Sequence, residues 1–329
     1  MKVLITGGAG YIGSLLTGVL LNAGHHVTVV DCLLFGGDSI LPYFAHPRFA
    51  FEKLDVCTGD LAGSMNGADA VVHLAALVGF PACQQVGEAA AMRFNVEATR
   101  RVFEAAEAGR VQRFLLASTY SNYGRAADDQ PVTEDSPLYP QSLYARTKIA
   151  AEEYLLERGR TARCAPVIPR FTTLFGVSPR TRFDLLVNQF VLEALTDRRL
   201  VLYEGNYRRS FVHVRDVVEA LCLLLQAPIP AVRNQVFNVG SEEGNYSKAE
   251  IAGLVCKAVA DVAIEQRNLS FGGDMRDVTV SCRKIQARVG FRVRISVEEG
   301  IREVRDALQS GLIHEPRSAR YRNHTFIVQ

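Results

Sequence analysis

Short apolar runs alternate with amphipathic stretches along the first half of the chain. Residues 2–5, 26–31, 49–54, 70–74, 114–117 and 165–170 read as brief strands. Residues 12–22, 92–108 and 144–157 carry apolar positions at helical spacing. Brief apolar strands separated by helices imply a parallel sheet covered on both faces, because the crossover helices shield each side. Ligands of such a sheet bind at the carboxyl ends of its strands. After about Gly176 the rhythm changes. Residues 179–190, 249–260 and 297–310 read as helices, separated by strands at 199–203 and 235–239. The expected architecture is a doubly wound parallel α/β sheet over residues 1–175 and a smaller mixed α/β lobe over 176–329. Segments at about 211–240 are expected to return to the first domain. The tail from His314 is rich in arginine and ends Phe326-Ile327-Val328; a docked strand and a frayed end are both open readings.

The first strand runs into Thr6-Gly7-Gly8-Ala9-Gly10-Tyr11-Ile12-Gly13-Ser14. Two glycine registers overlap there: Gly8, Gly10 and Gly13 fit G-x-G-x-x-G, and Gly7, Gly10 and Gly13 fit G-x-x-G-x-x-G. Glycine serves where φ is positive or where backbone must approach a ligand closely. The following helix offers N–H groups and a positive dipole end to a pyrophosphate. Asp31 closes the second strand at the spacing of a ribose-binding acid, which makes this a Rossmann-type dinucleotide site. A carboxylate there accepts hydrogen bonds from ribose hydroxyls and repels a 2′-phosphate, so NAD is favoured over NADP.

Tyr144 and Lys148 stand four apart on one helix face. A neighbouring cation favours the phenolate form of a tyrosine, which is otherwise a poor base at neutral pH. The fifth strand ends in Ser118-Thr119-Tyr120-Ser121-Asn122-Tyr123-Gly124, a hydroxyl-rich run at the ligand-binding edge of the sheet.

Composition narrows the class without naming a function. The chain has 329 residues, 48% hydrophobic and 22% charged, as in an ordinary soluble domain pair. Its 37 basic and 35 acidic residues give a net charge of +2, with no nucleic-acid or membrane footprint. Lysine is scarce beside arginine, so a retained lysine such as Lys148 marks a place where a guanidinium fits badly. The 7 cysteines include no C-x-x-C pair. Neither a disulfide framework nor a metal site is expected; most are expected to be buried thiols. The apolar start is too short for a signal-peptide core, and the run at 220–225 is far below a membrane span. A cytoplasmic protein is expected.

These residues together resemble the extended short-chain dehydrogenase/reductase family, the NAD-dependent nucleotide-sugar epimerases and dehydratases. The resemblance runs nearly the whole chain. It rests on the glycine loop, Asp31, Asp55-Val56, His73-Leu74-Ala75-Ala76, Asn95, Ser118-Thr119, Tyr144 with Lys148, Arg209 to Val217, and Phe237-Asn238-Val239-Gly240. It implies NAD held by Gly7, Gly10, Tyr11, Ile12, Gly13, Asp31, Asp55, Val56, Leu74, Ala75, Ala76, Asn95, Tyr144 and Lys148. Tyr144 is then the acid–base on a sugar hydroxyl, Lys148 the ribose anchor that tunes it, and Thr119 the catalytic hydroxyl. Arg209 and Arg276 match positions that grip the substrate diphosphate. Val78, Phe80, Thr119, Tyr120, Ser121, Thr173 and Asn188 complete the expected substrate site. The helices at 92–108 and 144–157 resemble a pair that builds a dimer contact in the family, which implies a homodimer.

Departures narrow the chemistry. Sugar 4,6-dehydratases of the family place Asp and Glu directly after the catalytic threonine; here Tyr120 and Ser121 stand there. Epimerases acting at C3 or C5 often carry a cysteine at the position of Ser121. The asparagine of the family's R-x-x-N pattern is Thr173. The expected reaction is therefore 4-epimerisation of a nucleotide-diphosphate sugar through a 4-keto intermediate. The alternatives are a dehydratase with other acids, a net C4 dehydrogenase or 4-ketoreductase, and a non-enzymatic NAD-sensing protein.

Overall fold

Val3 and Ile5 face one side of the first strand and Leu4 the other, and all three are buried. That alternation recurs: Val29 against Val30, Leu115 against Phe114 and Leu116, Val167 against Ile168. Successive side chains of a strand point to opposite faces, so a sheet with both faces apolar needs cover on both. The structure, a computed structural model, describes residues 1–125, 130–267 and 277–323.

The main sheet contains β1 (Lys2–Thr6), β2 (His26–Asp31), β3 (Phe49–Lys53), β4 (Ala70–His73), β5 (Arg113–Leu116), β6 (Ser118–Thr119) and β7 (Ala165–Phe171). Short strands β8 (Thr173–Phe175), β9 (Arg199–Tyr203) and β10 (Arg208–His213) follow, and β11 (Gln235–Val239) rejoins the main sheet. The lobe adds β12 (Asn245–Ser247) and β13 (Ala263–Arg267). The order across the main sheet is β11-β7-β5-β4-β1-β2-β3, with β6 beside β7, and its pairings are parallel. The chain winds one way from β1 to β3 and the other way from β4. The carboxyl ends of β1 and β4 thus form the switch-point crevice where a ligand enters.

One face is covered by α1 (Tyr11–Asn22), and the other by α2 (Ala98–Ala108) and α3 (Leu143–Arg158). Helix α4 (Leu186–Asp197) belongs to the lobe, while α5 (Val214–Gln226) packs beside α1. The lobe core gathers Phe183, Val187, Phe190, Phe211, Ile251 and Val304 from α4, β10, α6 (Lys248–Ala258), α7 (Val297–Gln309) and the loop before α4. Helices α6 and α7 open with capping boxes, Ser247 with Glu250 and Ser296 with Glu299, which satisfy otherwise orphaned N–H groups.

Two expected helices differ from the observed chain. The stretch 92–108 is interrupted by a π-helical turn at Arg93–Glu97. Its centre, Asn95, turns inward and bonds the Leu77 backbone, and helix-period hydrophobicity carries no sign of such a tertiary anchor. The stretch 179–190 becomes helical at Leu186. Before it, Ser178 and Thr181 bond each other's local groups, and Arg182 pairs with Asp184. Side-chain bonding to nearby backbone competes with the helix.

Candidate active site

The glycine loop shows which register matters. Gly7 has φ of +73°, and a Cβ there would lie 2.6 Å from the Ala75 amide nitrogen on β4's exit. A Cβ on Gly13 would lie 2.4 Å from the Gly7 carbonyl oxygen, so this glycine lets α1 close on the loop. Gly8 is excluded from carrying a side chain by the Val29 methyls, 2.6 Å away. Gly10, by contrast, lines the cavity and caps α1 without a side-chain acceptor. The Gly7-Gly10-Gly13 register therefore divides the work: tight turn, open approach, helix packing. Asp31 braces the same loop. Its Oδ2 accepts from the Ala9 amide at 3.0 Å and its Oδ1 from the Leu33 amide at 2.8 Å. Burial raises its pKa above the usual carboxylate value, and those two amides oppose the rise.

One continuous cavity of about 1120 Å³ runs from Asp31 and Phe35 past the glycine loop to Thr119 and Tyr144, then to Tyr203, Arg209 and Lys248 in the lobe. Ligand pockets typically occupy ~300–1,000 Å³, so this one has room for more than a single drug-sized molecule. Gly7, Gly10, Tyr11, Ile12, Gly13, Asp31, Asp55, Val56, Leu74, Ala75, Ala76, Tyr144 and Lys148 all line it. So do Val78, Phe80, Thr119, Tyr120, Ser121, Thr173 and Arg209.

Two expected ligand contacts do not reach it. Asn95 is buried and spends its amide on Leu77 and on the Thr147 hydroxyl, 2.9 Å away. It holds the cavity wall after β4 against α3. Asn188 is fully buried; it accepts from the Gly176 amide and donates to the Gly176 and Arg182 carbonyls. Its polar atoms fold the loop before α4, which leaves it a brace instead of a substrate contact. Arg276 lies outside the described residues, as do Phe326, Ile327 and Val328.

The hydroxyl run is organised by the turn that follows β6. The Thr119 hydroxyl donates to Ser121 Oγ at 2.9 Å and accepts from the Ser121 amide. Tyr120 shares a 2.6 Å hydroxyl–hydroxyl bond with Thr173. Behind them Glu152 is buried and bonded to Ser118, Asn122 and Arg170. Helix α3, capped by Ser142, presents Tyr144 and Lys148 to the cavity.

The Lys148 ammonium donates to the Ala117 carbonyl at 2.9 Å. Burial pushes its pKa down from 10.5 to about 8, partly opposed by Cys83 and Glu152. A cation with a folded pKa below its unfolded one costs stability. The cost is complete below the folded pKa of about 8 and vanishes as pH rises toward 10.5. It amounts to about 3 kcal/mol. Lys148→Met is thus expected to melt above wild type near neutral pH, with the gap closing by about pH 10. Thermal unfolding across that range checks this; a less stable variant at neutral pH contradicts it.

Among the polar residues of the cavity that sequence reasoning missed are Arg180, Arg182 and Asp184. Arg182 and Asp184 form a buried bidentate pair at 3.0 and 2.8 Å. Burial pushes the Asp184 carboxyl up, but Arg182 outweighs it and holds the pKa at about 2. Arg180 lies beside them. An arginine-rich chain hides such residues from motif reading. The thiols also differ from expectation: Cys83, Cys164 and Cys282 are buried, but Cys57, Cys222 and Cys256 are partly exposed and Cys32 is exposed. Cys32 and Cys57 follow the carboxyl ends of β2 and β3 and line the cavity, where the sheet has no cover. Among the described residues no cluster of three or more His, Cys, Asp or Glu is placed to hold a metal. None of the described helices is long and apolar enough to cross a membrane.

The model of the NAD dependent epimerase/dehydratase family matches residues 3–240. The chain belongs to that family. It is 31% identical to a dTDP-glucose 4,6-dehydratase of Streptomyces niveus, covering 92% of this chain and 91% of that one. It is 28% identical to an uncharacterized UDP-glucose epimerase, YtcB, of Bacillus subtilis, covering 92% and 96%. Its fold matches that of MoeE5 in complex with UDP-glucuronic acid and NAD, with a TM-score of 0.80, 30% identity, and 94% and 100% covered. This is an NAD-dependent enzyme family, and the glycine loop, Asp31 and Lys148 fit the cofactor: an open glycine at the helix start, a carboxylate with unused lone pairs, and a cation at the far end of the same cavity.

Proposed function

We propose that the protein catalyses NAD-dependent oxidoreduction at C4 of a nucleotide-diphosphate sugar, with 4-epimerisation through a 4-keto intermediate as the net reaction. The carrying observation is the set of groups at the reacting end of the cavity. Thr119, Tyr144 and Lys148 share that lining with Tyr120 and Ser121, and the three carboxylates on the whole described lining are Asp31, Asp55 and Asp184. Asp31 closes β2 and Asp55 follows β3, at the opposite end, and Asp184 is locked onto Arg182. Water elimination needs an acid–base pair at the sugar, and the described lining offers no carboxylate free for it.

Bound NAD supplies the hydride acceptor. Tyr144 takes the C4 hydroxyl proton, Thr119 orients that hydroxyl, and Lys148 holds the ribose and favours the phenolate. Arg209, buried on β10 at the lobe end, grips the diphosphate. After rotation of the keto sugar, Tyr144 would return the proton to the C4 oxygen, the reduced cofactor being the source of the hydride. The described residues of α2 and α3 are assigned to a homodimer contact, and the protein to the cytoplasm; solution mass by light scattering tests the dimer.

Incubation of the purified protein with NAD and a panel of nucleotide sugars, read by mass and proton NMR, decides the reaction. Inversion at C4 without mass change is expected. Loss of water selects the dehydratase reading, which the names of several relatives favour, and accumulating NADH selects a net dehydrogenase.

A further inference from the structure

Arg180 is a buried cation with two nitrogens unsatisfied. It is 6% exposed, its guanidinium lies 4.1 Å from the centre of the Phe35 ring, and its Nη1 donates to Asn323 Oδ1 at 2.6 Å. Its Nε and Nη2 are buried with no hydrogen-bond partner among the described residues. These two N–H groups form one edge of the guanidinium. Arg170 and Arg182 use that same edge to grip Glu152 and Asp184 bidentately. On Arg180 the edge is empty, although the residue lines the cavity. Unpartnered buried donors on a charged group are costly, and three distant chain segments meet to hold this one.

An edge of this shape selects a two-oxygen anion, a carboxylate or a phosphate. Other cations of the lining are engaged: Lys148 with the Ala117 carbonyl, Arg182 with Asp184, Lys248 with the Tyr203 carbonyl. The glycine loop from Thr6 to Ser14 contains no basic residue. Phe35, which lies against the guanidinium, follows Asp31 at the carboxyl end of β2 and lines the same stretch of cavity, which puts Arg180 at the adenosine–pyrophosphate end. A phosphate on the 2′-oxygen would face the Asp31 carboxylate, whereas the pyrophosphate would be held by the glycine loop.

We propose that Arg180 is the side-chain cation for the pyrophosphate of the bound dinucleotide, closing on it from the side opposite the glycine loop, with Asn323 of the C-terminal segment and Phe35 setting its plane. The proposal rests on the family's NAD dependence and not on the assignment of the sugar reaction, so it stands or falls by binding alone.

The test is calorimetric or NMR titration of the full chain with NAD, ADP-ribose, ADP and adenosine. Arg180→Met is expected to weaken NAD, ADP-ribose and ADP roughly 10- to 100-fold and to leave adenosine unchanged. Arg180→Lys keeps the charge without the bidentate edge and is expected to lose part of the same affinity, again sparing adenosine. Should Arg180→Met fail to fold, Arg180→Lys carries the same readout. Unchanged NAD affinity overturns the proposal. So does equal weakening of adenosine, which would make Arg180 a packing residue. Preferential binding of NADP by wild type, lost in the variant, overturns it in favour of a 2′-phosphate contact.

Discussion

Tyr144→Phe protein is expected to fold and bind NADH, and to transfer hydride about 10²- to 10⁴-fold more slowly than wild type, the usual range for a positioned acid–base group. The substitution removes one hydroxyl from a half-buried ring and leaves its volume, so packing on α3 is preserved. In the proposed mechanism, what is lost is the proton acceptor for the sugar hydroxyl. Neighbouring Thr119 cannot replace it, because its hydroxyl is tied to Ser121 and, as an aliphatic alcohol, it ionises too weakly. Single-turnover reduction of NAD, with the nucleotide sugar that wild type converts, reads the step directly. Turnover within a few-fold of wild type would remove Tyr144 from the chemistry. Unchanged NADH affinity in the same variant separates that loss from a cofactor defect.

Glu152→Ala is expected to destabilise the fold by about 3–5 kcal/mol, the usual cost of leaving a buried partner charge uncompensated. Glu152 and Arg170 have side-chain exposures of 2% and 4% and meet at 2.6 Å. Burial alone would lower the Arg170 pKa; Glu152 outweighs it and drives it up. Arg170 also donates to the Tyr123 hydroxyl at 2.9 Å, and that hydroxyl donates to Asn238 at 2.7 Å, so the pair ties α3, β7, β11 and the turn after β6 together. Chemical denaturation of Glu152→Ala, Arg170→Met and the double variant forms the cycle that checks this. The double variant should be less damaged than the sum of the singles, since it leaves no lone charge. A single-variant loss below about 1 kcal/mol, or simple additivity, rules the argument out.

Much of the nucleotide-binding half was legible because its signals are local. The strand–helix rhythm, the glycine spacing, Asp31 at a strand end and Tyr144 four before Lys148 each occupy a few neighbouring residues, and backbone geometry converts spacing directly into position. Even there, the sequence left two glycine registers open. Choosing Gly7 over Gly8 took the approach of the Ala75 amide to one and the Val29 methyls to the other.

The polar residues whose partners lie far along the chain behave differently. Asn95 and Asn188 match ligand-binding positions by type, yet each spends its amide on distant or irregular backbone. Arg180 meets Asn323 across 143 positions of sequence, and Tyr11 bonds the Gly176 carbonyl across 165. Such contacts follow no period, because a long side chain seeks any buried partner that the packing brings near. The alternation of residues therefore decided the sheet, its two covered faces and the edge where ligands enter. Which carboxylates stay available, which amides are consumed as braces and which guanidinium edge is left open were decided only when the lobe closed over that edge, since hydrogen-bond satisfaction in a buried site is a property of all its neighbours at once.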